Sequence, residues 1–131
     1  MPNWNYQLPP KTNKMFLIAN EVGMPALVKT CENAGYERVC FVRGQGEDVF
    51  GINLQAIHNT DGIVFDATLL TLDGAWCLGY AAAKGKTLIG CGDPHSTFGS
   101  MLLQSTFIVE DLDHLERALK ACREARAGDH G

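Results

Sequence analysis

Apolar positions along the chain fall in short unbroken blocks, and amphipathic stretches of ten or more residues separate most of them. Met15–Ala19 is a continuous apolar run, the pattern of a strand covered on both faces. A helical pattern follows over Pro25–Ala34 and stops at Gly35, a residue suited to a C-cap. Arg38–Val42 predicts a second strand, Asp48–Asn59 a helix with Val49, Ile52, Ala56 and Ile57 on one face, and Gly62–Phe65 a third strand. Helix Gly74–Lys84 then leads through Gly85 into strand Thr87–Gly90. After a loop rich in Gly, Asp, Pro and Ser come a strand at Thr106–Val109 and a last helix from Leu112 to about Arg126.

Strands that alternate with helices imply crossover connections and a parallel sheet. The expected fold is α/β, a flavodoxin-like doubly wound five-stranded parallel sheet with strand order 2-1-3-4-5. That order places a ligand crevice outside the C-terminal ends of strands 1 and 3. The segments to examine are therefore Asn20–Gly23, Asp66–Cys77 and Cys91–Met101. Residues 1–13 are polar and carry Pro9-Pro10, so they read as an arm that is loose or drapes over a neighbour. Residues 14–127 form the single domain and residues 128–131 a tail.

Composition agrees with a globule and narrows its partners. The 131 residues are 46% hydrophobic and 20% charged, enough for one core and too few for a second domain. Eleven basic against 15 acidic side chains give a formal charge of −4 with no basic tract, which argues against nucleic acid and anionic membranes as partners. No apolar run approaches a membrane span and the first residues lack a secretory signal, so a cytoplasmic protein is expected. The five cysteines are scattered without a Cys-x-x-Cys pair, which fits reduced thiols.

Several motifs fail on chemistry. Gly85-Lys86-Thr87 resembles the end of a phosphate loop, but Tyr80 stands where that loop needs Gly, and the segment leads into a strand rather than a helix. Clustered acids of a phospho-receiver and the hydroxyl-rich loop of flavodoxin are both missing after strand 1, where the chain reads Ala19-Asn20-Glu21. Cys91 and His95 offer two metal ligands with nothing to complete them. No cofactor or metal is expected. His58 and His114 read as solvent-facing or capping residues.

Asp61-Gly62 opening a strand, Asp66 at its end, the helical Gly79-Tyr80-Ala81 and the following Gly85-Lys86 through Gly90 form the most informative segment. With Gly99-Ser100-Met101 and the closing Phe107–Leu115, these residues resemble the nucleoside 2-deoxyribosyltransferase family over about residues 47–120. The resemblance implies action on, or binding around, the N-glycosidic bond of a nucleoside or nucleoside monophosphate, in a homodimer or larger assembly. The apolar cluster Met101-Leu102-Leu103, within a loop segment, fits such an assembly. In the family as resembled, a glutamate near the start of the third helix attacks the anomeric carbon and an aspartate of the second helix helps the base leave.

Those two positions fall on Cys77 and Asn53 here, and the family's Asn-x-Met asparagine, which reaches a neighbouring subunit's ligand, falls on Gly99. A thiolate at an anomeric carbon gives a thioglycoside that leaves reluctantly, and an amide has no proton to shuttle. The loop before the helix is one residue shorter than the family's, which admits Asp73 as a replacement carboxylate. The alternative for Asp73 is an N-cap on a helix starting at Gly74. Cys77 reads either as a thiol activated by the first helical turn or as a small apolar filler beneath Trp76 and Tyr80. Asp66 is a turn residue or an acceptor for sugar hydroxyls, and Trp76 stacks on a base or on the sheet. Asn20, Gly99 and Met101 complete the candidate substrate contacts. A nucleotide-binding sensor or regulatory module that has lost the chemistry is the second reading.

Overall fold

The computed structural model describes residues 12–44, 46–94 and 99–128. Most of the arm, with Pro9-Pro10, the last three tail residues and His95 lie outside the described residues. Among the described residues, five strands and five helices run β1 (Lys14–Ile18), α1 (Met24–Asn33), β2 (Glu37–Cys40), α2 (Glu47–His58), β3 (Gly62–Asp66), α3 (Leu72–Ala83), β4 (Thr87–Cys91), α4 (Ser100–Ser105), β5 (Phe107–Val109) and α5 (Leu112–Gly128). The sheet is wholly parallel with order β2-β1-β3-β4-β5, as the sequence predicts.

Strand pleating divides the core into two layers. Met15 and Leu17 of β1, Val64 of β3 and Ile89 of β4 face Leu27 and Cys31 of α1 and Leu115 and Leu119 of α5. Phe16 and Ile18, Ile63 and Phe65, and Leu88 face Ile57 of α2 and Leu78 and Ala81 of α3. The unbroken apolar runs of β1 and β3 follow from this arrangement, since both faces of each strand are covered. β2 and β5 are edge strands and are only partly buried.

The residues that carry the family resemblance most clearly lie at the N-terminal edge of the sheet. Buried Asp61 accepts from the Thr12 amide and hydroxyl, both at 2.8 Å, and from the Asn13 amide at 3.1 Å, which ties the start of β1 to the start of β3. Lys86 Nζ donates to the carbonyls of His58 and Thr60 at 3.0 and 2.8 Å, joining the end of α2 to the approach of β4. A Cβ on Gly62 would collide with the Thr87 carbonyl oxygen, and one on Gly90 would sit 2.5 Å from the Phe65 ring, so both glycines are set by close approach of β3 and β4.

Two local expectations are corrected. α3 begins at Leu72, not Gly74, and its cap is Thr71, whose hydroxyl accepts from the Gly74 amide at 3.1 Å. Asp73 is therefore not the cap. The stretch read as loop before β5 contains the short helix α4, with Leu102 packed into the α2–α3 layer. Its six residues are under two turns, too short to show a periodicity. The Ser105 and Thr106 hydroxyls bond back to the Met101 and Leu102 carbonyls at 2.7 and 2.6 Å and close it. Among the described residues, no helix is long and apolar enough to cross a membrane.

Removal of the Asp61 side chain leaves two amides at the sheet edge without their acceptor. Asp61→Ala is expected to lower unfolding free energy by roughly 2 kcal/mol or more, read as a lower midpoint in urea. An unchanged midpoint would contradict the latch.

Candidate functional site

A cavity of about 540 Å³ opens at the C-terminal edge of the sheet. Its walls are the end of β1 at Ile18–Asn20, the loop after β2, the inner face of α2 and the first turns of α3. The volume lies within the usual range of small-molecule sites, and the position beside β1 agrees with the crevice expected from the strand order. Among the lining residues, Asp73 and Arg43 carry the formal charges that the described side chains contribute.

Of the candidates named from sequence, Asn20, Asn53, Asp73, Trp76 and Cys77 line this cavity together. Asp66, Gly99 and Met101 do not. Asp66 Oδ1 accepts from the Thr68 amide at 2.9 Å and lies beside Gly92, where it shapes the turn after β3. Gly99 caps α4, and Met101 is 85% exposed on it.

Asn53 is committed to the backbone. Its Oδ1 accepts from the Val42 amide and its Nδ2 donates to the Val42 carbonyl, each at 2.9 Å. The side chain, 6% exposed, thus acts like one rung of a strand and pins the loop after β2 to α2. The same loop is held to β1 by Arg43, whose Nη2 donates to the Ala19 carbonyl at 2.7 Å. Asn20 Oδ1 accepts from the Gly23 amide at 2.8 Å and so fixes the turn into α1.

Cys77 does not have the activated thiol that a first-turn position would give. With α3 starting at Leu72, it lies in the second turn, beyond the main reach of the helix dipole. Burial, together with a smaller push from the nearby Asp73 carboxylate, raises the thiol to about 11. It is a protonated thiol at neutral pH, packed with the α2–α3 core layer.

Asp73 occupies the second position of α3, where a carboxylate suits the helix N-terminus. Because Thr71 performs the capping, the Asp73 carboxyl is available to the cavity. Opposite polarity comes from an aromatic wall. Phe50 and Trp76 meet edge to face with centroids 5.6 Å apart, and Trp76 stacks on Tyr80 at 5.8 Å and 9°. Lys84 Nζ lies 5.6 Å from the Tyr80 ring centroid. Trp76 remains 52% exposed despite these two ring contacts, so part of its indole is open. Arg43, Phe50 and Thr71 were not legible as site residues. Val49 and Ile52 showed the helix, but nothing in the spacing assigned Phe50 to a cavity wall.

The Asn53 geometry predicts a pH-dependent defect. A carboxylate at position 53 can accept from the Val42 amide but repels the Val42 carbonyl, whereas a protonated carboxyl can satisfy both. Asn53→Asp is expected to lose roughly 2 kcal/mol or more at pH 7 and less at pH 4, measured by urea unfolding at both pH values. A loss independent of pH would contradict the two-bond clamp.

No protein-family model matches the sequence, and no curated protein matches it significantly. Solved structures do. A 2-deoxyribosyltransferase from Bacillus psychrosaccharolyticus superposes with a TM-score of 0.64 at 19% identity, covering 79% of this chain and 90% of that one. The CMP N-glycosidase BcmB of Clostridium botulinum superposes with a TM-score of 0.60 at 17% identity, covering 81% and 97%. At these identities the likeness is one of fold, and the chain has the α/β fold shared by these two structures of nucleoside- and nucleotide-processing proteins.

Proposed function

We propose that the chain binds a nucleoside or nucleotide in the cavity between β1, β2, α2 and α3, with the sugar toward Asp73 and the base against Phe50 and Trp76. The observation that carries this reading is the pairing of a carboxylate with an open aromatic wall in one cavity of about 540 Å³. Carboxylate oxygens accept bonds from sugar hydroxyls, and an aromatic face accommodates a base without demanding one sequence of donors and acceptors. The two fold neighbours, named as a 2-deoxyribosyltransferase and a CMP N-glycosidase, lend the reading support.

Any work at the N-glycosidic bond falls to Asp73. Its carboxylate is the group in the described cavity wall suited to attack the anomeric carbon. A C1′–O bond forms as the C1′–N bond breaks, and the base takes a proton from water. A second water then attacks C1′, releases the sugar and returns the carboxylate. Cys77 and Asn53, which stand at the family's catalytic positions, lack that capacity, one as a protonated thiol and the other with both amide atoms engaged. This favours a second reading, in which the protein binds the ligand without turnover and serves as a sensor or regulatory module.

The two readings separate in one set of assays. Chromatography for released base and calorimetry for binding are performed on wild type, Asp73→Asn and Cys77→Ala. The catalytic reading expects slow base release that Asp73→Asn lowers by at least about 100-fold and that survives Cys77→Ala. Binding with no release in any protein supports the regulatory reading. Absence of binding by every nucleoside and monophosphate overturns both.

A symmetric homodimer is also proposed, supported by the exposure of Leu72 at 91% and Met101 at 85% beside the cavity-bearing layer. Light scattering should then give about twice 14.3 kDa at micromolar concentration, and a 14.3 kDa species alone would contradict it. A reducing, cytoplasmic setting is also proposed, supported by five scattered cysteines with no Cys-x-x-Cys pair.

A further inference from the structure

Among the described side chains, two charges line the cavity, and they come from different elements and do not pair. Asp73 stands in the first turn of α3 and Arg43 in the loop after β2. Among the described side chains, no carboxylate lies within ion-pair distance of the Arg43 guanidinium. A cation and a carboxylate that share a cavity without pairing are each left to a ligand.

Arg43 is also held in place. Its Nη2 donates to the Ala19 carbonyl at 2.7 Å, and Ala19 lies at the end of β1, itself part of the cavity wall. The preceding residue, Val42, is gripped through both its amide and its carbonyl by Asn53. One nitrogen of the guanidinium is thus used for anchoring, and the Nη1 and Nε donors remain for an anion. A planar donor fork held at a fixed place is suited to a phosphate group, and little ordering entropy is lost when the phosphate binds.

We infer that Arg43 makes the cavity selective for nucleoside 5′-monophosphates over free nucleosides, with the phosphate at Arg43 and the sugar between it and Asp73. The inference rests on the nucleoside reading of the cavity given above. It assigns Asn53 a further part, since the clamp on Val42 positions the arginine that follows it.

Calorimetry at low ionic strength tests this with three classes of probe, the common ribo- and deoxyribonucleosides, their 5′-monophosphates and inorganic phosphate. Wild type should bind at least one monophosphate roughly 10-fold or more tighter than the matching nucleoside, and added salt should weaken the monophosphate far more than the nucleoside. Arg43→Gln should bring the ratio of the two affinities close to one, and Arg43→Lys should restore part of it. The ratio is internal to each protein, so a general loss of stability does not imitate the effect, and the wild-type salt dependence stands without any variant. Equal binding of nucleoside and monophosphate by wild type overturns this inference and leaves the nucleoside reading intact, whereas no binding by either overturns both. Inorganic phosphate binding as tightly as the monophosphate, or a preference that survives Arg43→Gln, would also overturn it.

Discussion

The close approach of β3 to its neighbours is the constraint on which the rest of the structure depends. β3 is the middle strand, covered on both faces, and it pairs with β1 on one side and β4 on the other. Gly62 and Gly90 allow β4 to come close enough for the Phe65 ring to lie over the Gly90 backbone. The Asp61 carboxylate then holds the beginning of β1 in register with β3. With the N-terminal edge fixed in this way, the C-terminal ends of the strands are placed to within the reach of short loops, and those loops build the cavity.

The cavity is in turn shaped by side chains that bond to backbone. Asn53 fastens the loop after β2, Arg43 ties that loop to β1, Asn20 fixes the turn after β1, and Thr71 caps α3. These bonds leave the Asp73 carboxylate, the exposed part of Trp76 and the remaining Arg43 donors unengaged among the described side chains. The arrangement separates positioning from chemistry. Asn53 and Cys77, onto which the sequence resemblance maps a family's carboxylates, hold a loop and fill the core, and the one carboxylate of the described wall comes from a residue four places before Cys77 in the same helix.

The sheet order was legible because periodicity and crossover length determine it, and Met15–Ala19 and Gly62–Phe65 can be read as doubly covered strands without tertiary information. The resemblance to a family was legible for a related reason. Asp61, Gly62 and Lys86 are required by backbone contacts at the N-terminal edge, and those contacts come with the fold whether or not the chemistry does. Less of the site could be read. The start of α3 was misplaced by two residues because Asp73 and Thr71 are both good caps, and only the Thr71–Gly74 bond decides between them. That shift carries Cys77 out of the first turn, and burial beneath the helix raises its pKa. Arg43 and Phe50 enter the site through tertiary placement alone, and Asp66 stays out of it although it sits at the end of the central strand.

A crystal structure of the protein soaked with a nucleoside 5′-monophosphate tests whether a nucleotide occupies the cavity with its sugar at Asp73. The anomeric carbon is expected within about 3.5 Å of an Asp73 carboxylate oxygen, with the base against Trp76 and Phe50 and the phosphate on the Arg43 guanidinium. A nucleotide seated instead beside Asp66 and the β4 turn, with the cavity between β1, β2, α2 and α3 unchanged, would contradict it.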